Sequence, residues 1–150
     1  MNALLIAYAP ALAYFAAVFL YAGVAAGSNE YQIARGYDVS HLWETRERLA
    51  GIGPAAVLAC LCDALLGNYS AALLSSPLYL IGGGLLFSLR FDTRLNLRRE
   101  LGRHYVGTDP NTAKADKAVA RWGLSGRQYA ALKLAGLLLC AAALLFLRKP

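Results

Sequence analysis

From Ala3 to Ala26 the chain carries no charged side chain. Roughly 20 apolar residues suffice for a helix to cross the hydrocarbon core of a bilayer, so this run is long enough to span one. Three further blocks repeat the pattern. Residues 52–66 are interrupted only by Asp63, residues 71–89 hold Pro77 and Gly82-Gly83-Gly84, and residues 130–147 hold one charge, Lys133, near their start. Together these predict an all-α polytopic membrane protein. It is one integral membrane domain over residues 1–150, with spans at about 3–26, 52–66, 71–89 and 130–147 and loops at 27–50 and 90–129. Composition agrees: the chain is 58% hydrophobic and 16% charged, against roughly 45–50% and about 25% for soluble domains. At 150 residues a two-domain enzyme is excluded, and three cysteines are too few for a disulfide scaffold.

Charge fixes the expected orientation. Four spans put the Gly67–Ser70 turn and both ends of the sequence on one side, and the two large loops on the other. The loops hold most of the lysines and arginines, whereas the opposite side holds Arg148 and Lys149. The positive-inside rule therefore places the loops in the cytoplasm and both termini outside. The expected location is a cell membrane, with a bacterial inner membrane favoured by the lack of eukaryotic sorting signals. Val24-Ala25-Ala26 before Gly27 satisfies the small-residue rule for signal cleavage. However, no Lys or Arg precedes the apolar stretch, which exceeds the ~7–15 residues of a signal core. Cleavage would also leave the positive charge outside.

Local signals set the expected boundaries. Ser40 reads as the cap of a short helix reaching Leu49, with Glu44 and Arg48 as an i,i+4 pair. Pro54 marks a helix start or a kink. Gly67-Asn68-Tyr69-Ser70 reads as a turn with Gly67 as stop and Ser70 as the next cap; a break at Ser75-Ser76-Pro77 would leave the third span too short. Ser125 is a cap for the last helix. In the first block Ala9, Ala13 and Ala17, and separately Ala3, Ala7 and Ala11, recur every fourth residue. Such rows allow close approach of another membrane helix, so a protein partner or a second copy could dock there. Tyr8, Tyr14 and Tyr21 read as packing or interfacial residues rather than a polar track. The glycine triplet lacks the Gly-Lys-Ser/Thr of a phosphate loop and reads as a close-packing site.

The basic loop carries most of the chemistry. Arg90, Arg94 and Arg98 fall at i, i+4 and i+8 beside Phe91 and Leu95. After the Asp109-Pro110 start signal, Lys114, Lys117 and Arg121 line one face, with Ala115, Val119 and Trp122 on another. Two short basic amphipathic helices on the membrane surface are expected, binding the phosphates of anionic phospholipids through Arg90, Arg94, Arg98, Arg99, Lys114, Lys117 and Arg121. No nucleic-acid motif is present. The same stretch offers a catalytic inventory in Asp92, His104 and Asp109, joined by Asn96, Asp116 and the arginines. These would suit phosphate recognition and proton transfer, although no fixed-spacing motif accompanies them. Helical geometry would put Asp92, Asn96 and Arg99 on one face. His41 is read as a surface imidazole. No metal site and no cofactor are expected.

Two charged residues lie within the spans, Asp63 and Lys133, and an intramembrane charge is a functional candidate by default. The two differ in depth by roughly 10 Å at 1.5 Å rise per residue, too far for a direct pair. Asp63 is expected to meet Asn68, Tyr8, Arg148 or interfacial water. Cys60 and Cys62 point about 200° apart on a helix and, with Cys140, read as small packing residues. Asn68-Tyr69-Ser70 matches the glycosylation sequon but sits too close to the membrane to be used. Three functions follow: a non-enzymatic accessory protein that docks a partner and binds anionic lipid, an enzyme acting on a lipid or phosphate group through residues 90–129, and a small transporter or pore subunit using Asp63.

Overall fold

The computed structural model describes residues 3–37, 41–67, 69–107 and 114–148. It is all-helical over these residues, with α1 at Ala3–Ala34, α2 at His41–Leu65, α3 at Tyr69–Arg98, α4 at Lys114–Arg121 and α5 at Gly126–Leu147. Four of the five (α1, α2, α3 and α5) are long and apolar enough to cross a membrane. Their outer surfaces are apolar too: Leu12, Leu20, Leu73, Leu138, Leu139 and Phe146 are all exposed. A surface of that kind is stable against lipid and not against water, and the chain is accordingly membrane-embedded.

The helices run well past the charge-free blocks. α1 continues to Ala34 rather than ending near residue 26, and α3 continues to Arg98 rather than ending at residue 89. The short helix expected up to Leu49 is not separate: it is the opening stretch of α2. Entry into a polar environment relaxes the need for apolar side chains but not the advantage of internal backbone hydrogen bonds, and no glycine or proline interrupts residues 85–101. Of the two basic surface helices expected, the first is therefore the end of α3, and the second is the short α4.

Helix ends follow local chemistry. Ser125 caps α5, with a reciprocal capping box to Gln128. Gly36 and Gly123, both with positive φ, close α1 and α4 through the paired 5→2 and 6→1 hydrogen bonds of a Schellman motif. α3 ends the same way, but Glu100 occupies the left-handed position at φ 58°. Gly67 stops α2 with φ 86°, and α3 starts at Tyr69, so Ser70 lies inside the helix instead of capping it. Pro54 and Pro77 both lie within continuous helices. The positions Ser40, Asn68, Asp109 and Pro110 lie outside the described residues, as do the side chains of His41, Trp43, Glu44, Lys114 and Asp116.

α3 is the hub, packing against α1, α2 and α5, while α5 packs chiefly on α3. Consecutive glycines make this approach close enough. A Cβ on Gly82 would meet Phe15 of α1 and Cys140 of α5, and one on Gly83 would overlap the Tyr14 hydroxyl. The core they border holds Tyr14, Val18, Ala22 and Ala26 of α1, Ile52, Ala56 and Ala59 of α2, Tyr79, Phe87 and Phe91 of α3, and Leu144 of α5. Ala11 belongs to this core, whereas Ala9, Ala13 and Ala17 point outward. Of the other row Ala11 is buried inside the bundle and Ala7 is half-buried, so the row Ala9, Ala13 and Ala17 is the one left open. Tyr14 donates to the Tyr79 carbonyl at 2.7 Å and Tyr21 to the Glu47 carbonyl at 2.7 Å, so both serve helix packing.

Candidate functional site

Three polar assemblies join the helices. The first lies at the end of the bundle where α2 finishes. Asp63 and Arg148 are fully enclosed, with side chains 0% and 1% exposed, and Arg148 Nη2 donates to Asp63 Oδ2 at 2.5 Å. Tyr79 donates its hydroxyl to the same carboxylate oxygen at 3.0 Å, and Arg148 donates to that hydroxyl in turn. Ser75, one turn before Tyr79 on α3, lies 3.5 Å from Asp63 Oδ2 and bonds the Ala72 carbonyl at 3.1 Å. Asp63 thus meets Arg148, one of the four partners the sequence offered. Asp63 Oδ1 and Arg148 Nε and Nη1 are buried and have no hydrogen-bond partner among the described residues.

The second assembly lies toward the opposite end and joins α3 to α5. Lys133 Nζ donates to Asp92 Oδ2 and to Ser88 Oγ, both at 2.7 Å, and Ser88 also donates to Asp92 at 3.1 Å. The ammonium lies 3.9 Å from the Tyr129 ring centroid, within cation–π range. Lys133 is 9% exposed and Asp92 44%. Asp92 is therefore tied up in an interhelical ion pair and does not converge with Asn96 and Arg99. Asn96 donates to the Tyr105 carbonyl at 3.0 Å and folds the following loop back on α3. His104 and Arg99 are exposed, and Asp109 lies outside the described residues.

The third assembly is a row of arginines laid along α1. Arg90 sits over the Phe19 ring at 4.4 Å from its centroid. Arg94 reaches Gly23, where a Cβ would come within 2.7 Å of Nη1, and Arg98 lies beside Gly27 and pairs with Glu30. The partners advance four residues at a time on both helices, as parallel neighbours require. The row expected to face headgroups from a surface helix is thus a packed seam between two long helices. On the α2 side Arg48 stands over Phe91 at 4.5 Å. A small cavity beside it is lined by Tyr21, Ala25, Asn29, Glu47, Arg48, Phe87 and Phe91. Lys117 and Arg121 of α4 and Trp122 just after it are exposed, while Val119 is buried.

Ser75, noted only as part of a possible break, and Tyr79, Ser88 and Glu30 were not singled out as functional residues in the sequence. The spacing of Ser75 and Tyr79, four apart inside an otherwise apolar block, was the signal available for the first two, because such residues share a helix face. The three cysteines are free, and no cluster of metal-ligating side chains occurs among the described residues. Compared with known protein families, characterised proteins and solved structures, the chain matches none.

Proposed function

We propose that this is a non-enzymatic accessory protein of the membrane that docks a helix of another membrane protein on α1 and seats its basic end on anionic phospholipid. One observation carries the docking reading: Ala9, Ala13 and Ala17 form an exposed small-residue row on α1, while Ala11, Ala22 and Ala26 of the same helix are spent inside the bundle. Lipid supplies no hydrophobic drive for helices to associate, so close packing over small residues is what holds them together. The interior charges Asp63 and Asp92 are each engaged by a cation of α5 or the residue after it, which suits a scaffold. In this reading all four long helices span a bacterial inner membrane, with residues 35–40 and 99–125 cytoplasmic by the positive-inside rule. The exposed Lys117 and Arg121 of α4 and the Trp122 that follows it then rest on the cytoplasmic leaflet.

The test is affinity purification of the full chain from native membranes in mild detergent, followed by mass spectrometry. A stoichiometric membrane protein that co-purifies with the native chain and is lost from Ala13→Leu is the expected result. Recovery of the same partner with Ala13→Leu would refute docking on this face, and a self-associating chain sensitive to Ala13→Leu would make the partner a second copy. A second reading, a small transporter subunit built on Asp63, draws on the unbonded atoms of the Asp63–Arg148 pair. It requires a flux that Asp63→Asn abolishes, whereas docking leaves Asp63→Asn silent in the assembly.

A further inference from the structure

Arg90, Arg94 and Arg98 make equivalent approaches to α1 but differ in what answers their charge. Arg98 has Glu30, and Arg90 has the face of Phe19, although its Nε is buried with no hydrogen-bond partner among the described residues. Arg94 rests on the bare backbone of Gly23 and has no hydrogen-bond or ion-pair partner among the described residues. Its position makes that unusual. The apolar block of α1, residues 3–26, ends before the polar Ser28 and Asn29 and is about 36 Å long at 1.5 Å per residue, against a hydrocarbon core of about 30 Å. Gly23 therefore falls at the boundary between hydrocarbon and headgroups. A guanidinium held there without an anion is costly, and its fork of donors matches the oxygens of a phosphate.

We propose that Arg94, held over Gly23 in the seam between α1 and α3, binds a phosphate group, supplied by the headgroup of an anionic phospholipid. Gly23 leaves room for the guanidinium on the α1 surface. Glu30 neutralises Arg98 one turn further out, and Arg90 one turn further in is covered by the Phe19 ring, so Arg94 is the cation of the row that lies at the headgroup boundary with neither an acid nor a ring against it. This rests on the reading that the basic end lies at a membrane surface, and it narrows that reading from a diffuse basic loop to one guanidinium.

The experiment titrates the purified full chain in detergent with phosphatidylglycerol, and separately with inorganic phosphate, counting bound molecules by native mass spectrometry. Retention of phosphatidylglycerol by the native chain, weakened about fivefold in Arg94→Gln, is expected; that is the share one cation near an anionic surface contributes. Arg94→Lys should keep part of the affinity. Should Arg94→Gln fail to fold, Gly23→Ala serves instead, because its Cβ displaces Nη1 while leaving the charge in place, and it should also weaken retention. Binding of inorganic phosphate with the same dependence on Arg94, without retained lipid, would support a phosphate site but assign its ligand to water. Equal retention by native chain, Arg94→Gln and Gly23→Ala overturns the proposal. Vesicle attachment of Lys117→Gln tests the broader lipid reading separately, since α4 is remote from this seam in sequence and its loss should leave the retained lipid unchanged.

Discussion

The two ion pairs that tie α5 to the rest of the bundle use the same chemistry in opposite surroundings. Asp63–Arg148 is sealed, with two hydroxyls arranged around one carboxylate oxygen. Lys133–Asp92 is open on its acidic side, with Asp92 44% exposed. A sealed pair cannot lose one member without stranding the other in a low-dielectric interior, whereas water can replace a member of the open pair. The bundle is thus fastened rigidly at one end of α5 and adjustably nearer the other.

The largest effect that would break this contrast comes from Asp63→Ala. It should destabilise the bundle by about 3–5 kcal/mol, because Arg148 is left buried and unpaired. The double variant Asp63→Leu, Arg148→Met should recover most of that loss. Reversible unfolding in mixed micelles measures both; a double variant no better than the single would show that the pair's hydrogen bonds, rather than the stranded charge, dominate. Asp92→Asn should cost less, about 1–2 kcal/mol, between the values for surface and buried pairs. Its cost should also shrink in high salt, which should leave the Asp63→Ala cost unchanged. Equal salt dependence would erase the distinction. The smallest change lies in the loop beyond the open pair. Glu100 holds a left-handed backbone position that favours glycine, so Glu100→Gly should stabilise by about 0.5 kcal/mol, the conformational penalty less glycine's extra freedom when unfolded. A measured loss of stability would mean that the Glu100 side chain contributes more than its backbone costs.

What could be read from the sequence divides along the same physical line. The all-α class and the four long apolar helices were legible, because a charge-free block constrains an entire helix and needs no knowledge of its neighbours. The Ser125 cap and the Gly67 stop were legible for the related reason that capping is a short-range exchange of hydrogen bonds. Helix ends were not, since the point where charge begins marks a change of solvent and not a change of backbone: α1 and α3 each continue beyond it. Asp63 stood out as a lone charge in a span, and its depth correctly argued against Lys133. Choosing Arg148 from four partners required the helix crossing. The fate of Asp92 was the hardest to foresee. It reads as a member of a polar loop, and only the continuation of α3 turns it toward Lys133.

The pairing of Asp63 with Arg148 joins residues 85 positions apart in the chain. While the chain is being made, α2 and α3 are complete long before residue 148 exists. For that interval the Asp63 carboxylate has the hydroxyls of Ser75 and Tyr79 beside it, and the cation that answers its charge is still to be added. Until then the acid near one end of these helices lacks the cation that compensates it. The ion pair therefore forms only once α5 and the arginine after it have been added, closing a contact across 85 positions of the chain.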